Sequence, residues 1–188
     1  MDVQRDFCPG GSLAVRDGDS IVPELNRVID AFDRSHLPIF FTRDLHPPNH
    51  ISFKERNGPW PPHCVQGTPG SGFCAGLHVP PTATIISKGR DPDEEAYSGF
   101  QGTDLGSKLE ALDVSEVAIG GLATDYCVKE TSLDAIRRGL VVDVMRDCVM
   151  AVDQSVGDGR SALNEMARSG ANLITSDDAI RRLAGAQQ

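Results

Sequence analysis

Five short apolar runs, set among stretches with helical spacing, constrain this chain more than any other feature. They are residues 37–41, 83–87, 116–120, 140–145 and 172–175. Runs this short and this continuously apolar read as strands buried on both faces, the pattern of a parallel sheet covered by helices. Ile21, Leu25, Val28, Ile29 and Phe32 form one helical apolar face. Thr103 is placed to cap a helix carrying Leu105, Leu109 and Leu112. Residues 127–138 and 161–168 form two more helices, Gly139 ends the first, and Ser176 or Asp177 is placed to cap a last one. Alternating strands and helices predict an α/β fold, a three-layer sandwich with a mainly parallel central sheet flanked by helices. No linker, repeat or low-complexity segment divides the 188 residues, so a single domain over 1–188 is expected.

The totals exclude several function classes. A formal net charge of -9 argues against nucleic acid and anionic membrane surfaces. No apolar segment approaches the roughly 20 residues that span a bilayer, and no basic-plus-apolar leader is expected. The cysteines (Cys8, Cys64, Cys74, Cys127, Cys148) are odd in number, widely spread and without a CxxC pair. That usage predicts reduced thiols in a cytoplasmic enzyme.

Ligands of open α/β sheets bind at the carboxyl ends of the strands, which tells which polar residues belong together. Asp44 and His46 follow the run at 37–41, Lys88 follows 83–87, and Cys127 follows 116–120. In an extended segment Asp44 and His46 point the same way and could supply two ligands to a small divalent ion. His50 and His63 are further ligand candidates, whereas His36 and His78 read as surface or helix-end residues without a partner. His63 lies in the stiff stretch Trp60-Pro61-Pro62-His63-Cys64, inside a Pro- and Gly-rich segment (47–81) whose lack of periodicity suggests a functional loop. Lys88 could stabilise a carboxylate, a thiolate or an oxyanion. Cys127 sits where a strand turns into a helix, a position at which the helix dipole is expected to favour a thiolate and free N–H groups can hold an oxyanion. Read alone, such a cysteine is better explained by core packing.

Four segments together resemble the nicotinamidase branch of the isochorismatase-like cysteine hydrolases. They are residues 2–13 (DVQRDFCPGGSL), 42–47 (TRDLHP), 60–65 (WPPHCV) and the stretch ending Asp125-Tyr126-Cys127-Val128. They occur in order over nearly the whole chain. The resemblance implies that Cys127 is the nucleophile, Asp2 the general base and Lys88 the third member of a triad. It implies an oxyanion hole from the N–H groups of Ala123 and Cys127, with a cis peptide at Leu122–Ala123. Phe7, Trp60, Leu122 and Tyr126 would contact the substrate. Asp44, His46 and His63 would hold one divalent metal ion per chain, zinc first with iron or manganese as alternatives, and His50 would stand behind them or act as an optional ligand. The implied reaction converts nicotinamide to nicotinate and ammonia through a cysteine thioester, with pyrazinamide as a second substrate. No nucleic-acid or membrane partner is implied, and homo-oligomerisation is left open.

Relatives carry an apolar strand just before the aspartate that matches Asp2, where this sequence has Met1. The resemblance therefore implies a missing central strand, exposed apolar neighbours, a loosened base and an altered charge environment from the free α-amino group. Two alternatives remain at this stage. One is a metal-independent amidohydrolase acting on a ureido or carbamoyl compound, which would leave Asp44, His46 and His63 idle. The other is a non-catalytic homologue.

Overall fold

The strands form in two parallel pieces. β1 (Phe40–Asp44) pairs with β2 (Thr84–Lys88), with Thr42 opposite Ile86 and Asp44 opposite Lys88. β3 (Glu116–Leu122), β4 (Val141–Met150) and β5 (Asn172–Ile174) form the second piece in that spatial order. The structure, a computed structural model, describes residues 1–186. The predicted class is observed: parallel sheet flanked by helices. In β4 the fully buried Val144 joins one apolar cluster and Met145 the other, as alternation across a doubly covered sheet requires.

Strand limits differ from the apolar runs for physical reasons. β1 begins later than 37–41 because Leu37 is exposed and Pro38 has no N–H to give; pairing starts where Thr84 N–H donates to Ile39 O at 2.9 Å. It then continues through Asp44, which is buried although charged, so Asp44 and Lys88 close their strands rather than follow them. β4 outruns 140–145 because Arg146 and Asp147 interrupt the apolar pattern before the buried Cys148 and Val149 resume it.

The helices are α1 (Val22–Arg34), α2 (Leu105–Ala111), α3 (Lys129–Arg137), α4 (Asp158–Arg168) and α5 (Ser176–Ala186). α1 buries Val22, Leu25, Val28 and Ile29 on one face. Residues 127–138 are not one α-helix: a π-helical turn, Thr124–Val128, precedes α3. Gly139 does end α3, since Leu140 N–H donates to Ala135 O and Gly139 N–H to Ile136 O. α4 starts earlier than 161, at Asp158, whose carboxylate accepts from Ser155 N–H at 2.8 Å. α5 is capped by Thr175 and Asp178, not by Ser176 or Asp177. The Thr175 hydroxyl accepts from Asp178 N–H at 3.2 Å, and the Asp178 carboxylate accepts from Thr175 N–H at 2.9 Å. His78 is not partnerless, because its Nδ1 lies 2.7 Å from Asp30 Oδ1.

Met1 and Asp2 connect the two pieces of sheet. The Met1 amine donates to Gly120 O at 2.7 Å, Leu122 N–H donates to Met1 O at 3.0 Å, and Asp2 N–H donates to Thr42 O at 3.2 Å. Gly121, at φ 126°, permits this crossing, since a Cβ there would strike the Met1 carbonyl. Beyond this rung lies a cavity of about 560 Å³ between β1 and β3, lined by apolar side chains including Ile29, Phe32, Phe40, Leu109, Val117 and Ile119.

Candidate active site

One face of β1, the end of β2 and the turn after β3 bring the candidate residues together. Residues 42, 44 and 46 alternate along an extended backbone, so Thr42, Asp44 and His46 share a direction. All three are buried. The register that sets Asp44 opposite Lys88 joins their side chains as an ion pair through Asp44 Oδ1. Gln4, fully buried, holds Asp44 by its backbone. Its Oε1 accepts from Asp44 N–H at 2.7 Å, and its Nε2 donates to Asp44 O at 2.8 Å and Ser71 O at 2.9 Å.

Lys88 is the hub. Its Nζ lies 3.1 Å from Asp2 Oδ2, donates to Cys127 Sγ at 3.4 Å and donates to Ala96 O at 3.0 Å. Burial alone would lower the Lys88 pKa, but Asp2, Asp44 and Cys127 outweigh it and hold the pKa well above the usual value. Asp2 takes φ 44°, a conformation uncommon for a residue with a side chain. Its Oδ1 accepts from the Thr42 hydroxyl at 2.6 Å. Its Oδ2 faces Lys88 at ion-pair distance but is, among the described residues, a buried side-chain oxygen with no hydrogen-bond partner.

Cys127 lies inside the π-helical turn and is 6 % exposed. Burial pushes its thiol pKa well above the usual value; Lys88 opposes that shift, and the negative charges of Asp2 and Asp44 reinforce it. Burial thus works against the thiolate that the helix dipole is expected to favour. Desolvation favours the protonated thiol here, and the Lys88 ammonium, shared with two carboxylates, is the group that favours the thiolate.

Donor atoms of Asp44, His46 and His63 lie within 4.8 Å of one another. His46 Nδ1–H donates to Gly89 O at 2.9 Å and His63 Nδ1–H donates to Pro61 O at 2.8 Å, which leaves both Nε2 atoms bare. Burial lowers the His46 pKa to about 3 and lowers that of His63, so both rings are neutral near pH 7. Two bare imidazole nitrogens and a carboxylate in one buried cluster fit a divalent cation. His50 does not join them. Its Nε2–H donates to Glu94 O at 3.0 Å, and its Nδ1 accepts from the Ser52 hydroxyl at 2.7 Å, so the ring stacks behind His46 with both nitrogens engaged.

Between this cluster and Cys127 lies a pocket of about 40 Å³, walled by Phe7, Trp60, Tyr97 and Tyr126, with Ala123 also lining it. Leu122 is 1 % exposed and packs in the core rather than along this pocket. The Leu122–Ala123 peptide is cis. Tyr97 escaped the sequence reading, although it follows β2 in the loop that carries the strand's carboxyl end. It accepts a hydrogen bond from Trp60 Nε1 at 3.0 Å and so braces the opposite wall.

A buried thiol, a cation and a carboxylate with an open lone pair, set on the carboxyl edge of a parallel sheet, are the equipment of an amide hydrolase. The chain belongs to the isochorismatase family: the isochorismatase domain matches residues 1–178. It is 37% identical to the nicotinamidase of Escherichia coli (strain K12), across 95% of this chain and 93% of that protein. It is 38% identical to the nicotinamidase/pyrazinamidase of Mycobacterium tuberculosis, across 94% of this chain and 96% of that protein. Among solved structures, the pyrazinamidase of Pyrococcus horikoshii in complex with zinc superposes with a TM-score of 0.89 at 49% identity, covering 93% of this chain and 95% of that one. No helix among the described residues is long and apolar enough to cross a membrane.

Proposed function

We propose that this chain hydrolyses nicotinamide to nicotinate and ammonia, with pyrazinamide as a second ring amide. The observation that carries the reading is the pocket itself, whose aromatic walls join Cys127 to Asp44 and His63. The names of its relatives support the same substrate class.

Asp2 takes the proton from Cys127 Sγ, and the sulfur attacks the amide carbon. The N–H groups of Ala123 and Cys127 hold the oxyanion, while the Lys88 ammonium balances the charge passing between Asp2 and the sulfur. Asp2 then gives the proton to the amide nitrogen, the C–N bond breaks and ammonia leaves. A water molecule, losing its proton to Asp2, opens the thioester and frees the carboxylate, and the thiol is restored. Asp44, His46 and His63 would hold one divalent cation, zinc first among the candidates, which supplies a Lewis-acidic site for a ring nitrogen of the substrate.

Purified protein loaded with zinc is expected to release ammonia from nicotinamide, to lose that activity on chelation and to regain it on zinc addition. Hydrolysis of ureido or carbamoyl compounds that is indifferent to chelator, with none of nicotinamide, would overturn the reading. Gly89→Ala provides a separate test of the cation site. Gly89 has φ 63°, and a Cβ there would lie 2.4 Å from His46 Cε1 and 2.6 Å from its Nδ1, so the ring would have to shift. Zinc affinity in a competitive chelator titration is expected to fall about 10- to 100-fold, the usual effect of disturbing a ligand's support.

A further inference from the structure

A base carboxylate has two oxygens, and only one of them can serve the thiol. We propose that Thr42 is a positioning residue that decides which, by occupying Oδ1 of Asp2 and leaving Oδ2 open. The proposal rests on the reading of Asp2 as the base.

Thr42 holds Asp2 at both ends. Its hydroxyl donates to Asp2 Oδ1 at 2.6 Å, the same oxygen accepts from Asp2 N–H at 3.3 Å, and its carbonyl accepts from that N–H at 3.2 Å. A hydroxyl carries one proton. The competing acceptor, Met1 Sδ at 3.3 Å, is farther away and a weaker acceptor than a carboxylate, so the proton goes to Oδ1. The rotamer is fixed as well. Thr42 is β-branched and 3 % exposed, and its methyl lies so close to Gly99 that a Cβ on that glycine would sit 3.2 Å from it.

With Oδ1 bound, the buried Oδ2 is left without a hydrogen bond, 3.1 Å from Lys88 Nζ. A carboxylate oxygen of Asp2 lies within 4.8 Å of Cys127 Sγ. Without the hydroxyl, the carboxylate could turn about its last torsion and engage Lys88 through either oxygen. The lone pair would then no longer be held for the thiol. The alternation of β1 gives the arrangement its economy, because the same strand face that fixes the base through Thr42 pairs with the cation through Asp44.

The test uses zinc-loaded Thr42→Val, which keeps the shape and removes the hydroxyl, and Thr42→Ser, which keeps the hydroxyl. Thr42→Val is expected to lower kcat for nicotinamide about 10- to 100-fold with KM changed less than about threefold, and Thr42→Ser to recover kcat to within about threefold, since misorienting the base forfeits part of the about 10²- to 10⁴-fold that positioned proton transfer contributes. In parallel, the rate of Cys127 alkylation by iodoacetamide, read by mass spectrometry, is expected to fall about tenfold in Thr42→Val and to recover in Thr42→Ser. Alkylation needs the thiol proton removed but no ring amide. If the unaltered protein fails to hydrolyse nicotinamide, the substrate reading falls while the alkylation series still decides on Thr42. Alkylation at the unaltered rate in Thr42→Val overturns the proposal, as does a loss confined to KM or one that serine does not repair. Should Thr42→Val fold poorly, Thr42→Ala against Thr42→Ser makes the same comparison.

Discussion

Replacing Cys127 with alanine is expected to reduce ammonia release from nicotinamide by at least about 10⁴-fold while leaving the protein folded, because loss of a covalent nucleophile removes the route and not merely part of its stabilisation. Lys88→Met should give a comparable loss of rate with a different companion effect. The Lys88 side chain is fully buried and touches Asp2 and Asp44. Removing it leaves two carboxylates near one another without a counter-charge, which costs about 3–5 kcal/mol. In a domain of this size that is a fall in Tm of about 10 °C. Cys127→Ala deletes one sulfur atom and creates no stranded charge, so its Tm should stay within a few degrees. Activity assays paired with calorimetry separate the two. Cys127→Ala that keeps a tenth of the activity would remove the thiol from the reaction. Lys88→Met with an unchanged Tm would mean that the charges at this hub are not coupled.

The sheet was legible because its strands are buried on both faces, and such segments cannot hide their apolar character. Val142 and Val144, both fully buried, announce β4. What stayed hidden was the charge inside the strands. Asp44 and Lys88 read as loop residues from sequence, yet they complete β1 and β2, because each neutralises the other in a place where neither could stand alone. The metal cluster could be narrowed but not closed by spacing. His50 and His63 are equally good candidates by type, and only the partners of His50, Ser52 and the distant Glu94 carbonyl, remove it. The desolvation of Cys127 stayed hidden for a related reason. Its place in a turn is a local property, whereas its desolvation comes from everything packed around it. Gln4 and Tyr97 act through backbone and wall contacts that no residue-type pattern encodes.

Adding five β-branched apolar residues ahead of Met1 is expected to raise Tm by about 10–20 °C. The cavity of about 560 Å³ between β1 and β3 has the lining of a central strand site, and Met1 already makes one rung of it, bonded to Gly120 and Leu122 on one side while Asp2 bonds to Thr42 on the other. A strand there would bury side chains on both faces at about 1.5–3 kcal/mol each and complete two ladders at about 1 kcal/mol per hydrogen bond. Ordering costs about 1–2 kcal/mol per residue for the backbone and about 0.5–1 kcal/mol more for each buried side chain, which with about one new hydrogen bond per residue leaves a net gain of about 5 kcal/mol. In a domain of this size 1 kcal/mol corresponds to about 2–4 °C. A second signature follows from charge. The free Met1 amine is buried, and burial lowers its pKa below the ordinary 8.0. Below about pH 8 the unfolded chain binds a proton that the folded chain resists, so stability should fall as pH drops from 8 towards the folded-state pKa. Extension turns the amine into a neutral amide that still donates to Gly120 O, and this part of the pH dependence should vanish. Thermal melts of both forms between pH 6 and 9 check the two effects together. Equal midpoints would mean that the gap between β1 and β3 does not accept a strand, and a persistent slope in the extended form would assign the pH dependence to other groups.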